Sequence, residues 1–115
     1  MPFQTAGYCH CKRCQRRSGA LWSLNALVSA DGFAIVRGPE AVRTWVPPDG
    51  LPKAFCEECG GHLYSDGGDF VVVRLGAVDG DPGIRPQWHQ WLDSAPDWEP
   101  IPEDGLPRFA GRRPS

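Results

Sequence analysis

Short stretches of alternating hydrophobic and polar residues run along this chain and predict a series of β-strands. Residues 20–30 (ALWSLNALVSA) and 42–46 (VRTWV) follow the two-residue period of a strand with one buried face. Residues 70–75 (FVVVRL) form an almost unbroken apolar run, which predicts a strand buried on both faces. A helix remains an alternative for residues 20–30, because short apolar stretches fit either structure. Shorter strands are predicted at residues 53–56, 62–65 and 87–92.

Turn-forming residues separate these stretches and predict where the chain reverses. Asp31-Gly32 is a hairpin signal, and the apolar residues 33–37 that follow it predict a return strand. The polar residues 15–19 can form a single helical turn that ends at a glycine. The pattern therefore predicts a mostly-β fold with few or no helices.

The composition indicates one loop-rich domain over residues 1–115. The chain has 14 glycines and 12 prolines among 115 residues, and 41% of its residues are hydrophobic. We expect residues 1–8 to form a short lead-in and residues 110–115 a frayed tail. The net charge of −2 gives no support for nucleic-acid binding, and no apolar run is long enough to cross a membrane. Five cysteines without a recognisable secretion signal predict a cytoplasmic protein.

Three cysteines within six residues form the strongest chemical signal in the chain. Cys9 and Cys11 lie two residues apart, so an extended segment points both sulfurs to the same face. A turn after Cys11 brings Cys14 back towards that face. Three converging sulfurs match a Zn²⁺ ligand set with one coordination position left open, as in catalytic zinc sites. The spacing predicts a metal site, and by itself it fits a catalytic and a structural zinc equally well.

Disulfide bonds and inert buried thiols are the two alternatives for this cluster. Cys9 and Cys11 are too close for easy disulfide geometry, and five cysteines is an odd number. The cluster is also surrounded by cations, which are unusual in a core: Lys12, Arg13, Arg16 and Arg17. These cations could offset the negative charge of a three-thiolate site, although a solvated basic face is an equal alternative for each of them.

A second cysteine pair, Cys56 and Cys59, is followed by Gly60 and Gly61. This pattern is typical of a zinc knuckle, in which a tight turn points backbone amides at the sulfurs. A thioredoxin-type redox pair is the alternative, but in that motif a helix follows, whereas a strand-like segment follows here. We therefore predict that Cys56 and Cys59 are metal ligands as well.

Four motifs, taken together, resemble the glutathione-dependent formaldehyde-activating enzyme family, which includes proteins of the centromere protein V type. The first is Cys-His-Cys-x2-Cys-x-Arg-x-Ser-Gly at residues 9–19, and the second is Phe-Cys-x2-Cys-Gly-x2-Leu at residues 55–63. The third is Val-x-Leu-Gly-x-Val-Asp at residues 73–79. The fourth is an ending that contains His-x-Trp, Ala-Pro-x-Trp and Asp-Gly-Leu-Pro-Arg-Phe within residues 89–109.

The resemblance implies a zinc-pinned antiparallel β fold of the β-tent kind, with two metal sites. In the family, the Cys-x-Cys-x2-Cys motif holds a substrate-facing zinc, which corresponds here to Cys9, Cys11 and Cys14. A structural zinc is held by four cysteines, of which Cys56 and Cys59 are two. The other two belong to an earlier Cys-x-Cys-Gly hairpin that this sequence does not contain. The resemblance therefore leads us to expect fewer than two zinc ions per chain.

The activity implied by the resemblance is that of an S-(hydroxymethyl)glutathione synthase. Such an enzyme is a carbon-sulfur lyase that joins the thiol of glutathione to formaldehyde, and a related thiol or small aldehyde fits the same chemistry. These small molecules would be the partners, without nucleic acid or membrane. The alternative is a non-catalytic zinc-stabilised binding module of the same fold, because family membership does not establish turnover. No residue beyond the cysteines is assigned a catalytic role.

Overall fold

Seven strands and one α-helix make up the regular structure of the computed structural model, which describes residues 3–114. The strands are β1 Thr5–Cys9, β2 Ser23–Ser29, β3 Val42–Trp45, β4 Lys53–Cys56, β5 His62–Asp66, β6 Phe70–Arg74 and β7 His89–Gln90. Helix α1, Lys12–Ser18, connects β1 to β2. The strands form one sheet in the order β3-β4-β5-β6-β2-β1-β7. This confirms the mostly-β prediction, and no helix within residues 3–114 has the length and apolar character needed to span a membrane.

Neighbouring strands of the sheet run antiparallel, with one exception. The exception is the pair β1 and β7, which runs parallel and joins residues far apart in the chain. A parallel pair needs a long connection between its strands, and here β2 to β6 supply it. The first described strand therefore lies inside the sheet, between β2 and β7.

One face of the sheet carries the hydrophobic core. Ala6 of β1 pairs with Ala26 of β2, which pairs with Val73 of β6, so the three side chains lie in one row. Val28 and Val71 form a second buried pair beside it. Because side chains alternate between the two faces of a strand, β6 buries every second residue. The prediction that this strand is buried on both faces is wrong.

The opposite face is polar near the end of β1. Cys9 pairs with Ser23 of β2, and Asn25, two residues further along β2, pairs with Arg74 of β6. Residues paired across neighbouring strands point to the same face, so these four side chains share one surface. Helix α1 adds Cys14, whose sulfur lies 3.1 Å from the Ser23 hydroxyl. The fold thus gathers cysteines and polar residues from four elements at one place.

The return strand predicted at residues 33–37 does not form. Within the described part of the chain, β2 is followed by a 3₁₀ turn at Ala30–Gly32, and residues 33–37 have no strand partner. Both edges of β2 are already paired, with β1 on one side and β6 on the other. No edge is left for the predicted hairpin. Phe33 instead packs on Tyr64, with ring centroids 4.8 Å apart.

Described residues of both terminal segments take part in the fold, contrary to the expected lead-in and frayed tail. Residues 5–8 of the expected lead-in belong to β1. At the other end, the Arg113 N–H donates to Gln90 Oε1 at 2.9 Å, and its guanidinium lies 4.0 Å from the Trp88 ring centroid. These contacts join residues that are distant in sequence, which a local pattern does not reveal. Residues 1, 2 and 115 of the two predicted segments lie outside the described residues.

Strand β7 is shorter than the alternation of residues 87–92 predicts. It ends at Gln90, because Trp91 adopts a φ of 60° in the left-handed region and turns the chain. A 3₁₀ turn at Leu92–Ser94 follows. His89 is therefore buried while Trp91 is 40% exposed, although a continuous strand would place both on one face.

Candidate metal centre

A strand end, a helix cap and a helical turn bring the three cysteines of the first motif together. Cys9 ends β1, Cys11 is the N-cap of α1, and Cys14 lies in the first turn of that helix. The backbone of Cys11 is extended, and its sulfur accepts a hydrogen bond from the Cys14 backbone N–H at 3.4 Å. The helix ends at Gly19, which has a φ of 74° and donates its N–H one turn back. The turn predicted at residues 15–19 is thus the second half of a longer helix.

The three sulfur atoms lie within 4.8 Å of one another. A tetrahedral zinc with Zn–S bonds of about 2.3 Å separates its sulfurs by about 3.8 Å. A closure of about 1 Å, within reach of side-chain rotation, converts this arrangement into a zinc ligand set. No other group of three or more closely spaced metal-ligating side chains occurs in residues 3–114, and the five cysteines there form no disulfide. Cys9, Cys11 and Cys14 can therefore hold a metal ion.

Hydrogen bonds within the cluster concentrate negative charge on Cys11. The thiols of Cys14 and Cys9 donate to the Cys11 sulfur and lower the pKa of Cys11 far below that of an ordinary thiol. The same hydrogen bonds, followed by burial, raise the pKa of Cys9, and the bond to Cys11 raises the pKa of Cys14. Metal binding would displace the protons held by these two thiols, because the thiolate is the ligating form.

Two polar residues of β2 orient the Cys14 sulfur. The Ser23 hydroxyl donates to Cys14 Sγ at 3.1 Å, and Asn25 Nδ2 donates to Ser23 Oγ at 2.9 Å. The hydrogen bond from Ser23 favours the thiolate form of Cys14 and so opposes the increase in its pKa caused by Cys11. The sequence analysis missed both residues, although two polar residues at alternate positions of an apolar strand are a usable signal.

Arg74 is a cation that faces all three cysteines. Burial lowers the pKa of its guanidinium, while the negative charges of the cysteine cluster raise it. The side chain is held in place by hydrogen bonds to Ser65 Oγ at 2.7 Å and to the Val72 carbonyl at 3.3 Å. A zinc with three thiolate ligands carries a net charge of about −1, which this guanidinium offsets. No sequence pattern pointed to Arg74, because it lies far from the cysteine motif in the chain.

The four cations predicted from the sequence differ in their surroundings. Arg17 is half-buried near the cluster, where burial, and then the charge of Arg74, lower the pKa of its guanidinium, while the charge of Cys14 acts in the opposite direction. Arg13 pairs instead with Asp49. The remaining two are exposed on α1 and fit the alternative of a solvated basic face: Lys12 and Arg16.

A groove of about 640 Å³ opens beside the cluster. Ser23 and Arg74 form part of its wall, and Ser23 also donates its hydroxyl to the Cys14 sulfur. Arg17 and His62 add polar groups to the wall, and Trp22 adds an aromatic side chain. Burial, and then the charges of the two arginines, lower the pKa of His62. The volume lies within the usual range of small-molecule sites, about 300–1,000 Å³.

Cys56 and Cys59 form a separate turn that also borders the groove. The Gly60 N–H donates to the Cys56 carbonyl at 2.7 Å, the Gly61 N–H donates to Cys59 Sγ at 3.4 Å, and Gly60 has a φ of 75°. Backbone N–H groups of Cys59 and Glu58 lower the pKa of Cys56. The turn has the amide-to-sulfur geometry expected of a knuckle. Its two sulfurs do not join the three-cysteine group, and their role as metal ligands remains a prediction.

A substitution in this turn tests that role. If the pair binds a stabilising zinc, Cys56→Ser should lower the melting temperature of the zinc-treated protein by about 5 °C or more. The same change should have little effect in the presence of a chelator, because the folding contribution comes from the metal. Thermal unfolding of both proteins under both conditions measures this. Equal melting temperatures for the two zinc-treated proteins would show that the pair does not stabilise the fold through a metal.

Comparison with known proteins agrees with this geometry. Residues 2–94 match the model of the family described as glutathione-dependent formaldehyde-activating enzyme. A relative from Sordaria macrospora, whose name refers to the same enzymes, is 32% identical over 85 residues. That match covers 65% of this chain and 36% of the relative, so the chain spans little more than a third of the relative's length. The family match covers most of the residues of this chain. The chain therefore belongs to the glutathione-dependent formaldehyde-activating enzyme family.

Proposed function

We propose that this chain is a zinc-dependent carbon-sulfur lyase of the S-(hydroxymethyl)glutathione synthase type, acting on glutathione and formaldehyde or a related small aldehyde. The observation that carries the proposal is the position of a basic groove beside the three-cysteine cluster: its wall includes Ser23, which donates a hydrogen bond to Cys14, and Arg74, which lies on the same face of the sheet as Cys9. Family membership and the name of the relative support the same choice of substrates. Five cysteines without disulfides fit a reducing compartment, and we place the reaction in the cytoplasm.

The proposed reaction adds a thiol to a carbonyl carbon. One carbon-sulfur bond forms, the C=O π pair moves to the oxygen, and the proton lost by the thiol is gained by that oxygen, so no oxidant is needed. A zinc ion held by Cys9, Cys11 and Cys14 would supply an open coordination position that stabilises a thiol as its thiolate. The remaining work of the site falls to residues that bind and orient the substrate.

The two arginines of the groove are suited to an anionic peptide thiol. Glutathione carries two carboxylates, and Arg17 and Arg74 both line the groove as half-buried cations. Arginine binds carboxylates through short and often bidentate hydrogen bonds, which fix the orientation of the ligand. Arg74 also faces the sulfur cluster, so a carboxylate bound there brings the thiol of the same molecule close to the cluster. Trp22 offers an apolar surface for the carbon atoms of the peptide.

A zinc-stabilised binding module without turnover is the second candidate. The observation that favours it is the composition of the cluster: no histidine or carboxylate of residues 3–114 joins the three-cysteine group. His10 follows Cys9 directly, yet it is buried, and burial lowers its pKa to about 4. The two candidates predict the same binding of zinc and glutathione and differ in rate enhancement.

The exchange rate between free glutathione and S-(hydroxymethyl)glutathione, measured by NMR, decides between them. The zinc-loaded protein should accelerate the exchange above the spontaneous rate, and a chelator should remove the acceleration. A thiol without carboxylates, such as 2-mercaptoethanol, should be accelerated less, because it cannot use the two arginines. Glutathione binding without any acceleration would favour the binding module, and absence of binding would contradict both candidates.

A further inference from the structure

The tail at residues 95–113 lies beyond the family match, which ends at residue 94, yet it is bound closely to the metal-site region. The His89 N–H donates to the Pro107 carbonyl, and the Phe109 N–H donates to the His89 carbonyl, both at 2.9 Å. His89 and Arg108 form a parallel bridge through these bonds. Strand β7 is therefore held on one side by β1 and on the other by the tail.

Three side chains connect this tail to the first cysteine motif, and two of them lie in the interior of the protein. Asp104 Oδ2 lies 2.8 Å from His89 Nε2, and His89 Nδ1 lies 2.9 Å from His10 Nε2. His89 is 3% exposed and His10 is 1% exposed. Tyr8 stacks on the His89 ring with centroids 4.7 Å apart, which fixes the ring plane. The connection ends at His10, the residue between the first two cysteines of the cluster.

The hydrogen bonds of this connection run in one direction. The interaction with His89, followed by the Leu106 backbone N–H, lowers the pKa of Asp104, so its carboxylate is the acceptor. His89 Nε2 is then the donor, which leaves His89 Nδ1 as an acceptor. His10 Nε2 must therefore donate to His89. Asp104 in the tail thus sets the tautomer and orientation of both rings.

Backbone contacts hold His10 at two further points. Its N–H donates to the Gln90 carbonyl at 3.0 Å, and its carbonyl accepts a hydrogen bond from Gln15 Nε2 at 2.7 Å. Gln15 Nε2 also donates to the Ser94 carbonyl at 2.9 Å, just before the tail. His10 is therefore fixed at its N–H, its carbonyl and its ring. Cys9 and Cys11 are the chain neighbours of this fixed residue.

We propose that Asp104 and His89 are positioning residues of the metal centre, and that the tail is therefore part of the site. They act through His10 on the relative placement of Cys9 and Cys11, and they ligate no metal themselves. Metal ligands must keep their distances within about 0.2 Å, and loss of a supporting partner typically lowers metal affinity by about 10- to 100-fold. This inference rests on metal binding by the three cysteines, which belongs to the proposed function.

Cobalt titration of Asp104→Ala tests the proposal. Cobalt bound by thiolates absorbs through sulfur-to-metal charge transfer, and the band reports both affinity and coordination geometry. We expect Asp104→Ala to weaken cobalt binding by about 10-fold and to alter the spectrum of the loaded protein. Asp104→Asn keeps an acceptor oxygen for His89 and should restore most of the affinity. Asp97→Ala is the matched control, because Asp97 is an exposed carboxylate of the same tail with no side-chain hydrogen bond to residues 3–114.

The melting temperature of each metal-free variant separates positioning from a general loss of structure. Weaker binding and an altered spectrum in a variant that remains folded, with rescue by Asp104→Asn, support the inference. Identical affinity and spectra for Asp104→Ala and the wild type would overturn it while leaving the metal centre intact. Failure of the wild type to bind cobalt would overturn the proposed metal centre, and this inference with it. His89→Gln, with the same expected loss, replaces Asp104→Ala if that variant does not fold.

Discussion

Replacing Cys11 with serine should weaken zinc binding by about 100- to 1,000-fold. In zinc-finger peptides, roughly 10–16 kcal/mol of binding free energy is divided among four protein ligands, and about a quarter of it corresponds to this loss. Hydrogen bonds from the other two thiols lower the pKa of Cys11, and its sulfur also accepts a hydrogen bond from the Cys14 backbone N–H. Serine is a favourable N-cap residue, and its hydroxyl can accept the same backbone hydrogen bond. Helix α1 should therefore persist, and the substitution removes the metal ligand with little other change.

Competition with a chromogenic chelator measures this loss of affinity. Cys59→Ser is the matched control, because Cys59 is an exposed cysteine outside the three-cysteine group. It should leave metal binding at that group unchanged. Circular dichroism before and after zinc addition checks that the Cys11→Ser protein keeps its fold. Zinc binding of wild-type strength in Cys11→Ser would show that the three cysteines do not form the metal centre.

Arg74→Gln should reduce kcat/KM for glutathione by about 10- to 100-fold, because a hydrogen bond to a charged group contributes about 1.5–3 kcal/mol. The guanidinium of Arg74 faces the sulfur cluster and lines the groove, so it can hold a carboxylate and offset thiolate charge together. Glutamine keeps a polar side chain with an N–H donor, but it is shorter and carries no charge. The decrease in kcat/KM should be larger for glutathione than for a thiol that lacks carboxylates.

We would measure the exchange rates of wild type and Arg74→Gln with glutathione and with 2-mercaptoethanol. The difference between the two thiols isolates the contribution of the substrate carboxylates to the rate. Arg85→Gln is the control, because Arg85 is an exposed arginine that pairs with Asp81 and lines no part of the groove. It should leave both rates unchanged. An equal loss of rate with the two thiols would show that Arg74 only offsets the charge of the cluster and does not bind a carboxylate. Unchanged rates for Arg74→Gln would show that Arg74 is not part of the site.

Local patterns in the sequence account for the strands and for the cysteine cluster. The alternation in residues 20–30 and 42–46 corresponds to β2 and β3, and the Cys-x-Cys-x2-Cys spacing does bring three sulfurs together. The cysteines converge by a different route from the one predicted, since Cys11 caps a helix that carries Cys14. Spacing of a few residues constrains a local cluster strongly, because any compact turn keeps such residues close.

Features that depend on strand order could not be read from local patterns. Arg74 comes near the cysteines only because β6 pairs with β2, and Asp104 reaches His89 only because the tail pairs with β7. The failed return strand at residues 33–37 has the same origin, since its intended partner β2 is paired on both edges. Such pairings join segments far apart in the chain, where periodicity carries no information about which strands are neighbours.

The central claim is that Cys9, Cys11 and Cys14 form a metal centre with an open position for a substrate thiol. Titration of the cobalt-substituted protein with glutathione, followed by sulfur-to-cobalt charge-transfer absorption, tests it most directly. The account predicts a saturable increase in that absorption with glutathione and no change with S-methylglutathione, whose sulfur cannot ionise. An unchanged spectrum with glutathione, or the same change with both compounds, would contradict it.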